Sequence, residues 1–174
     1  MSSPPAGPGP VPPTVVVTDD RSGSPRAGEE PVDTDRWARL ATDVLVAEGV
    51  TGPAELAVAF VDEDTIASLH IEHLGEAGPT DVLSFPLDGS PNGPAADPTD
   101  RPGEPRLLGD VVVCPAVARR NAVPPGGYEA ELALLVVHGV LHVLGWDHAD
   151  ADQTAAMVAR ERELLGAAGL ERRG

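Results

Sequence analysis

The chain has 174 residues, enough for one ordinary domain and short of two. It carries 28 acidic and 12 basic residues, every basic one an arginine, for a net charge of −16; this excludes the usual nucleic-acid binder with a basic face and argues against docking on anionic lipid. Apolar residues make up 41% but aromatics only 3%, so aliphatic side chains must build the core.

Residues 1–13 are rich in Pro, Gly and Ser and are expected to form a disordered tail. Thr14–Thr18 (TVVVT) reads as a β-branched strand. Asp33 is a candidate N-cap for a helix over 34–48, whose apolar residues Trp37, Leu40, Ala41, Val44 and Leu45 recur at helical spacing. Glu55–Val61 alternates as a strand, and Asp62 can cap a helix to about His73. Thr80–Phe85 (TDVLSF) is a strand stopped by Pro86, and 88–106 is a loop punctuated by Pro and Gly. Leu107–Cys114 is a further strand, and Pro115 opens a short helix to about Asn121. Residues 128–144 read as a helix apolar on all sides, hence buried. Ala151–Gly166 is an amphipathic helix with Met157, Val158, Leu164 and Leu165 inward, and 167–174 is a flexible tail. The expected fold is α+β, a single small mixed sheet with packed helices in one domain over 14–166.

The single cysteine, Cys114, excludes an intramolecular disulfide framework and a thiolate-rich zinc site, and is expected in the core. The first residues have no basic and apolar regions of a secretory signal, and no apolar run approaches the ~20 residues of a membrane span. A soluble cytoplasmic protein with no membrane partner is therefore expected.

Three of the five histidines fall within eleven residues, His138-Gly-Val-Leu-His142-Val-Leu-Gly145-Trp-Asp-His148. His138 and His142 are one helical turn apart on one face, within reach of a single tetrahedral ion. Gly145 can end the helix in a left-handed conformation and turn His148 back toward the same ion. Three protein ligands leave a fourth position for water, the arrangement of a catalytic zinc site, here at the end of a buried helix. The spacing matches the metzincin peptidases, but those carry a general-base Glu after the first His, where this chain has Gly139. That difference argues for other chemistry.

Together, HGVLHVLGWDH, PTDVLSFP at 79–86 and LLGDVVVC at 107–114 resemble the bacterial YbeY endoribonuclease family of rRNA maturation factors, over about Val15 to Leu165. The resemblance implies a single-strand-specific endoribonuclease that processes the 3′ end of 16S rRNA and serves 70S ribosome quality control. It also implies one zinc ion per chain on His138, His142 and His148. Ribosomal RNA and the small ribosomal subunit, or a ribosomal protein, would be its partners. Many family members carry an arginine, thought to contact RNA, six residues before the Thr of PTDVLSFP. Leu74 stands there in this chain.

Other residues carry two readings each. Asp81 and Ser84 could line the zinc cleft or satisfy backbone groups. Asp110 suits a turn-type hydrogen bond better than catalysis. Asp147 could orient a ligand imidazole or cap the turn after Gly145. His70 and His73 are read as surface residues, with cleft lining as the alternative. Arg119 and Arg120 could replace the missing arginine, although a solvated helix end is the plainer reading. Between residues 41 and 100 stand twelve acidic residues and no Lys or Arg, so free RNA should bind weakly without a partner. Two rival readings are a zinc hydrolase of small molecules or peptides, which Gly139 in place of Glu disfavours, and a non-catalytic ribosome-assembly factor whose zinc is structural.

Overall fold

The computed structural model describes residues 11–21, 31–78, 80–87, 105–124 and 126–170. Four strands form one sheet: β1 (Thr14–Asp19), β2 (Ala54–Phe60), β3 (Val82–Pro86) and β4 (Arg106–Val113). Their order is β1-β2-β4-β3. The first three in that order are mutually parallel, and β3 runs antiparallel along β4. Five helices accompany the sheet: α1 (Thr34–Ala47), α2 (Glu63–Leu74), α3 (Pro115–Asn121), α4 (Gly127–Val143) and α5 (Ala151–Ala167). The architecture is the expected α+β fold with a single mixed sheet.

Local chemistry sets these elements where the sequence put them. Asp33 accepts the Arg36 N–H at the start of α1, and Asp62 accepts the Thr65 N–H at the start of α2, both as N-caps. The five apolar residues expected inward on α1 are its buried residues. Pro115 opens α3, where its missing N–H leaves no bond unmade. Gly109 sits at φ +152, beside the register shift of β2 against β4. A Cβ there would run into the Phe85 carbonyl oxygen and lie 3.1 Å from Pro86 Cα, so glycine lets β3 close onto β4.

Alternation along β4 divides the core. Val111 and Val113 join the large cluster with Leu56, Val58, Phe60 and the inner residues of α1 and α4. Val112 joins a smaller cluster with Ile66 of α2, Leu83, Cys114 and Val117. Strand residues point alternately to opposite faces, so α4 lies on one face and α2 on the other. Burying each large aliphatic side chain contributes roughly 1.5–3 kcal/mol, which is how a core poor in aromatics suffices.

Several expectations are corrected. β3 begins at Val82, so Thr80 and Asp81 precede the strand, and Pro86 lies within it. Val158 is exposed, and Glu161 takes an inward place on α5 beside Met157, Leu164 and Leu165. The helical period explains the exchange: 157, 161, 164 and 165 share a stripe that 158 leaves. Pro13, in the stretch expected to be a tail, is buried. Leu170, in the stretch expected to be flexible, packs partly buried against the core. Residues 1–10, most of the 88–106 loop and residues 171–174 lie outside the described residues. No helix among the described residues is long and apolar enough to cross a membrane.

Candidate metal centre

Between Ala130 and Val143 every residue of α4 is buried except Leu134, His138 and His142. These three recur every four residues and form one accessible stripe along an otherwise enclosed helix. The helix ends as expected. Gly145 adopts φ +95, its N–H reaches the His142 carbonyl at 3.0 Å, and the Trp146 N–H reaches the Leu141 carbonyl at 3.0 Å. This left-handed exit turns the chain back and brings His148 beside the two helical imidazoles.

One ligand nitrogen from each of His138, His142 and His148 lies within 4.8 Å of the other two, so the three could hold a metal ion. Ring centroids of His138 and His142 are 4.5 Å apart, and those of His142 and His148 4.9 Å. Burial, followed by the neighbouring His138 and His148, pushes the His142 imidazole below its ordinary pKa. Neutral imidazole is the form that ligates, so this environment suits a metal. His138 and His142 are half-buried and His148 is exposed, which leaves one side of the cluster open to a reacting molecule.

Glu161 completes the cluster and was not anticipated. Its buried carboxylate lies 2.5 Å from Nδ1 of His138, which fixes the ring and leaves Nε2 for a metal. Such a carboxylate acceptor behind a ligating imidazole sets its tautomer and raises its basicity. The signal was present in the sequence, as an acidic residue on the apolar stripe of α5.

The remaining residues divide clearly. The Ser84 hydroxyl donates to the Gly139 carbonyl at 3.0 Å, joining β3 to α4 between the first two histidines. Asp147 accepts the His148 N–H at 2.7 Å and stands 3.9 Å from its Nδ1. Asp81 lies just before β3, where its carbonyl accepts the Cys114 N–H at 2.9 Å. Asp110 sits within β4, opposite Ala57 and Phe85, and not in a turn. His70 bonds the Gly78 carbonyl at 3.0 Å, and exposed His73 meets the Phe85 ring edge-on. Burial holds the Cys114 thiol above its ordinary pKa, in keeping with a core residue.

Arg119 and Arg120 are each engaged by another residue of the fold. Arg119 lies over the Tyr128 ring, 5.4 Å from its centroid, and Arg120 pairs with Glu63 at the start of α2. Tyr128 precedes His138 by ten residues, about 15 Å along the helix axis. Leu74 is 62% exposed at the end of α2.

Gly139 stands where metzincin peptidases carry their glutamate, and the fold leaves no room there for a side chain. A Cβ at that position would run into Val111 Cγ1 and lie 3.3 Å from Val82 Cγ2. The residue after the first histidine therefore faces the packed sheet, where no glutamate could act.

A model of the family described as endoribonuclease YbeY matches residues 25–169. The chain belongs to the endoribonuclease YbeY family. It is 47% identical over 137 residues to endoribonuclease YbeY of Thermobifida fusca, covering 78% of this chain and 85% of that one. Endoribonuclease YbeY of Acidothermus cellulolyticus is 46% identical over 150 residues, covering 84% and 92%. A solution structure of a Thermotoga maritima protein superposes with a TM-score of 0.52 at 24% identity, over 88% of this chain and 90% of that one, and so shares the fold. Membership of the YbeY family supports an RNA-cleaving hydrolase.

Proposed function

We propose that this YbeY-family chain is a single-strand-specific, zinc-dependent endoribonuclease of the cytoplasm. Its role is in rRNA maturation at the 3′ end of 16S rRNA and in 70S ribosome quality control. The observation that carries the reading is the three-histidine cluster, with its nitrogens within 4.8 Å of one another, in a chain of this family. One zinc ion per chain fits an all-imidazole donor set with a carboxylate behind one ring and an open side. His138, His142 and His148 would hold the ion, which would supply Lewis acidity toward a phosphodiester and lower the pKa of a bound water.

The chain's own groups do the rest. His138 and His142 are set by the helix, and Glu161 holds the His138 ring with one nitrogen outward. Asp147 is 61% exposed on its side chain and stands beside the exposed ligand, so we assign it the role of proton acceptor at the open side. Ser84 keeps β3 against α4 through its bond to Gly139, and its oxygen can still accept a hydrogen bond from substrate or water. Asp81, just before β3, is assigned an assisting role with Asp147. The acidic surface gives free RNA little affinity, so a small-subunit particle or a ribosomal protein presents the substrate.

The test is cleavage of a small-subunit rRNA precursor by metal-replete protein beside His142→Ala. Cleavage by the first and not the second is expected. Exposed Leu74 and the engaged arginine pair favour the second reading, an assembly factor with structural zinc. Full zinc occupancy without cleavage of any precursor or particle would select it.

A further inference from the structure

We propose that Glu48 is a positioning residue for the metal centre, acting through Trp146 on the loop that presents His148. The proposal rests on the metal-binding reading of the three histidines. His138 and His142 take their positions from a buried helix, whereas His148 lies between α4 and α5 and has no helix to fix it. Something else must hold that loop if three nitrogens are to converge on one ion.

The downstream side of the loop is pinned locally by the first turn of α5. Asp150 accepts the Gln153 N–H at 2.8 Å, and the Ala149 N–H donates to the Gln153 side chain at 3.1 Å. The upstream side has its backbone tied to α4, by the Trp146 N–H on the Leu141 carbonyl, and its side chain pinned from far away. The Trp146 indole N–H donates at 3.0 Å to Oε2 of Glu48, the residue that closes α1, 98 positions earlier. The other carboxylate oxygen, Oε1, accepts from Arg160 Nε at 2.5 Å. Arg160 also donates to the Ala47 carbonyl at 3.1 Å and pairs with Glu163 at 2.8 Å.

Both oxygens of Glu48 are therefore engaged, and its side chain is only 12% exposed. A carboxylate fixed on one side by a guanidinium makes a rigid acceptor on the other. Trp146 stands two residues before His148, so anchoring its ring restricts where the His148 imidazole can go. Glu48 touches neither the histidines nor a substrate in this arrangement; its effect passes through the indole. The following residue of α5, Glu161, serves His138 directly, so consecutive residues of one helix organise two different ligands.

Trp146→Phe removes the indole N–H and keeps an aromatic ring, while Glu48→Ala removes the acceptor. Cobalt(II) is the probe, because its visible absorption reports coordination as well as occupancy. Each variant is expected to bind cobalt roughly 10–100-fold more weakly than wild type, the range of a lost outer partner, with an altered visible band. Glu48→Gln, which retains an oxygen for the indole, should recover part of the affinity. In a His148→Ala background, Glu48→Ala should have no further effect on cobalt affinity, since the ligand it positions is gone. Unchanged affinity and spectrum in both single variants would overturn the proposal, as would an equal loss in the His148→Ala background. Failure of wild type to bind cobalt would instead overturn the metal-site reading on which it rests.

Discussion

The carboxylate of Glu161 lies 2.5 Å from Nδ1 of His138, joining α5 to the accessible stripe of α4 across 23 positions of sequence. The pair makes α5 part of the candidate metal centre, although none of the three histidines lies on α5. Glu161→Gln keeps the shape and loses the charge that strengthens the imidazole as a ligand; Glu161→Ala loses both. Zinc affinity measured by chelator competition is expected to fall roughly 10–100-fold in the alanine variant and less in the glutamine variant. Equal affinity in all three proteins would reduce the contact to packing.

Metal removal should be felt by the whole domain. A ligand that binds only the folded state at about 100 times its Kd stabilises it by about 2.7 kcal/mol. For a chain of this size that corresponds to a Tm shift of roughly 5–10 °C. Calorimetry of wild type with and without chelator should show a fall of that order, and His142→Ala should show none. A chelator-insensitive wild type would count against a bound ion.

Gly139 has no room for a methyl group, because Val111 and Val82 occupy the space a Cβ needs. Both are held in the sheet, and Val111 is fully buried, so relief requires the α4–sheet contact to open. Gly139→Ala is expected to lower unfolding stability by about 1–3 kcal/mol in urea titration. Gly139→Glu, the substitution that would copy a peptidase motif, should yield unfolded protein and no peptidase. A stable Gly139→Glu would show that the helix can shift away from β4.

Leu74 ends α2 with most of its side chain in solvent, so an arginine there fits without repacking. Leu74→Arg is expected to raise kcat/KM on naked single-stranded RNA several-fold. Its advantage should shrink as salt rises, because the added contact works by releasing counterions. Equal rates for the two proteins at low salt would place position 74 away from the RNA path.

Much of this was legible in the sequence because it depends on local chemistry. The N-caps Asp33 and Asp62, the five inward residues of α1 and the Gly145 exit are decided within a few residues of themselves. The three histidines converge for the same reason, since eleven consecutive residues contain the whole cluster. What was not legible is long-range. The apolar stripe of α5 marks Glu161 as an inward acid, but nothing near it names His138 as its partner, and nothing near Glu48 names Trp146. The fate of the arginine pair likewise depended on where Tyr128 and Glu63 came to lie. Val158 is exposed for a different reason: it lies off the helical stripe of 157, 161, 164 and 165, where the inward place goes to the polar Glu161.

The position of α5 after the histidines has a consequence for the order in which the centre can be made. Synthesis delivers His138, His142 and His148 before Arg160 and Glu161, and a domain of this size folds as a unit once its parts are present. Until α5 docks, the His138 ring has no acceptor and Glu48 has no guanidinium partner. A nascent chain halted short of α5 would thus display all three imidazoles without the carboxylate that backs His138. Any ion the cluster holds would be gripped at full strength only after α5 has been made and has docked.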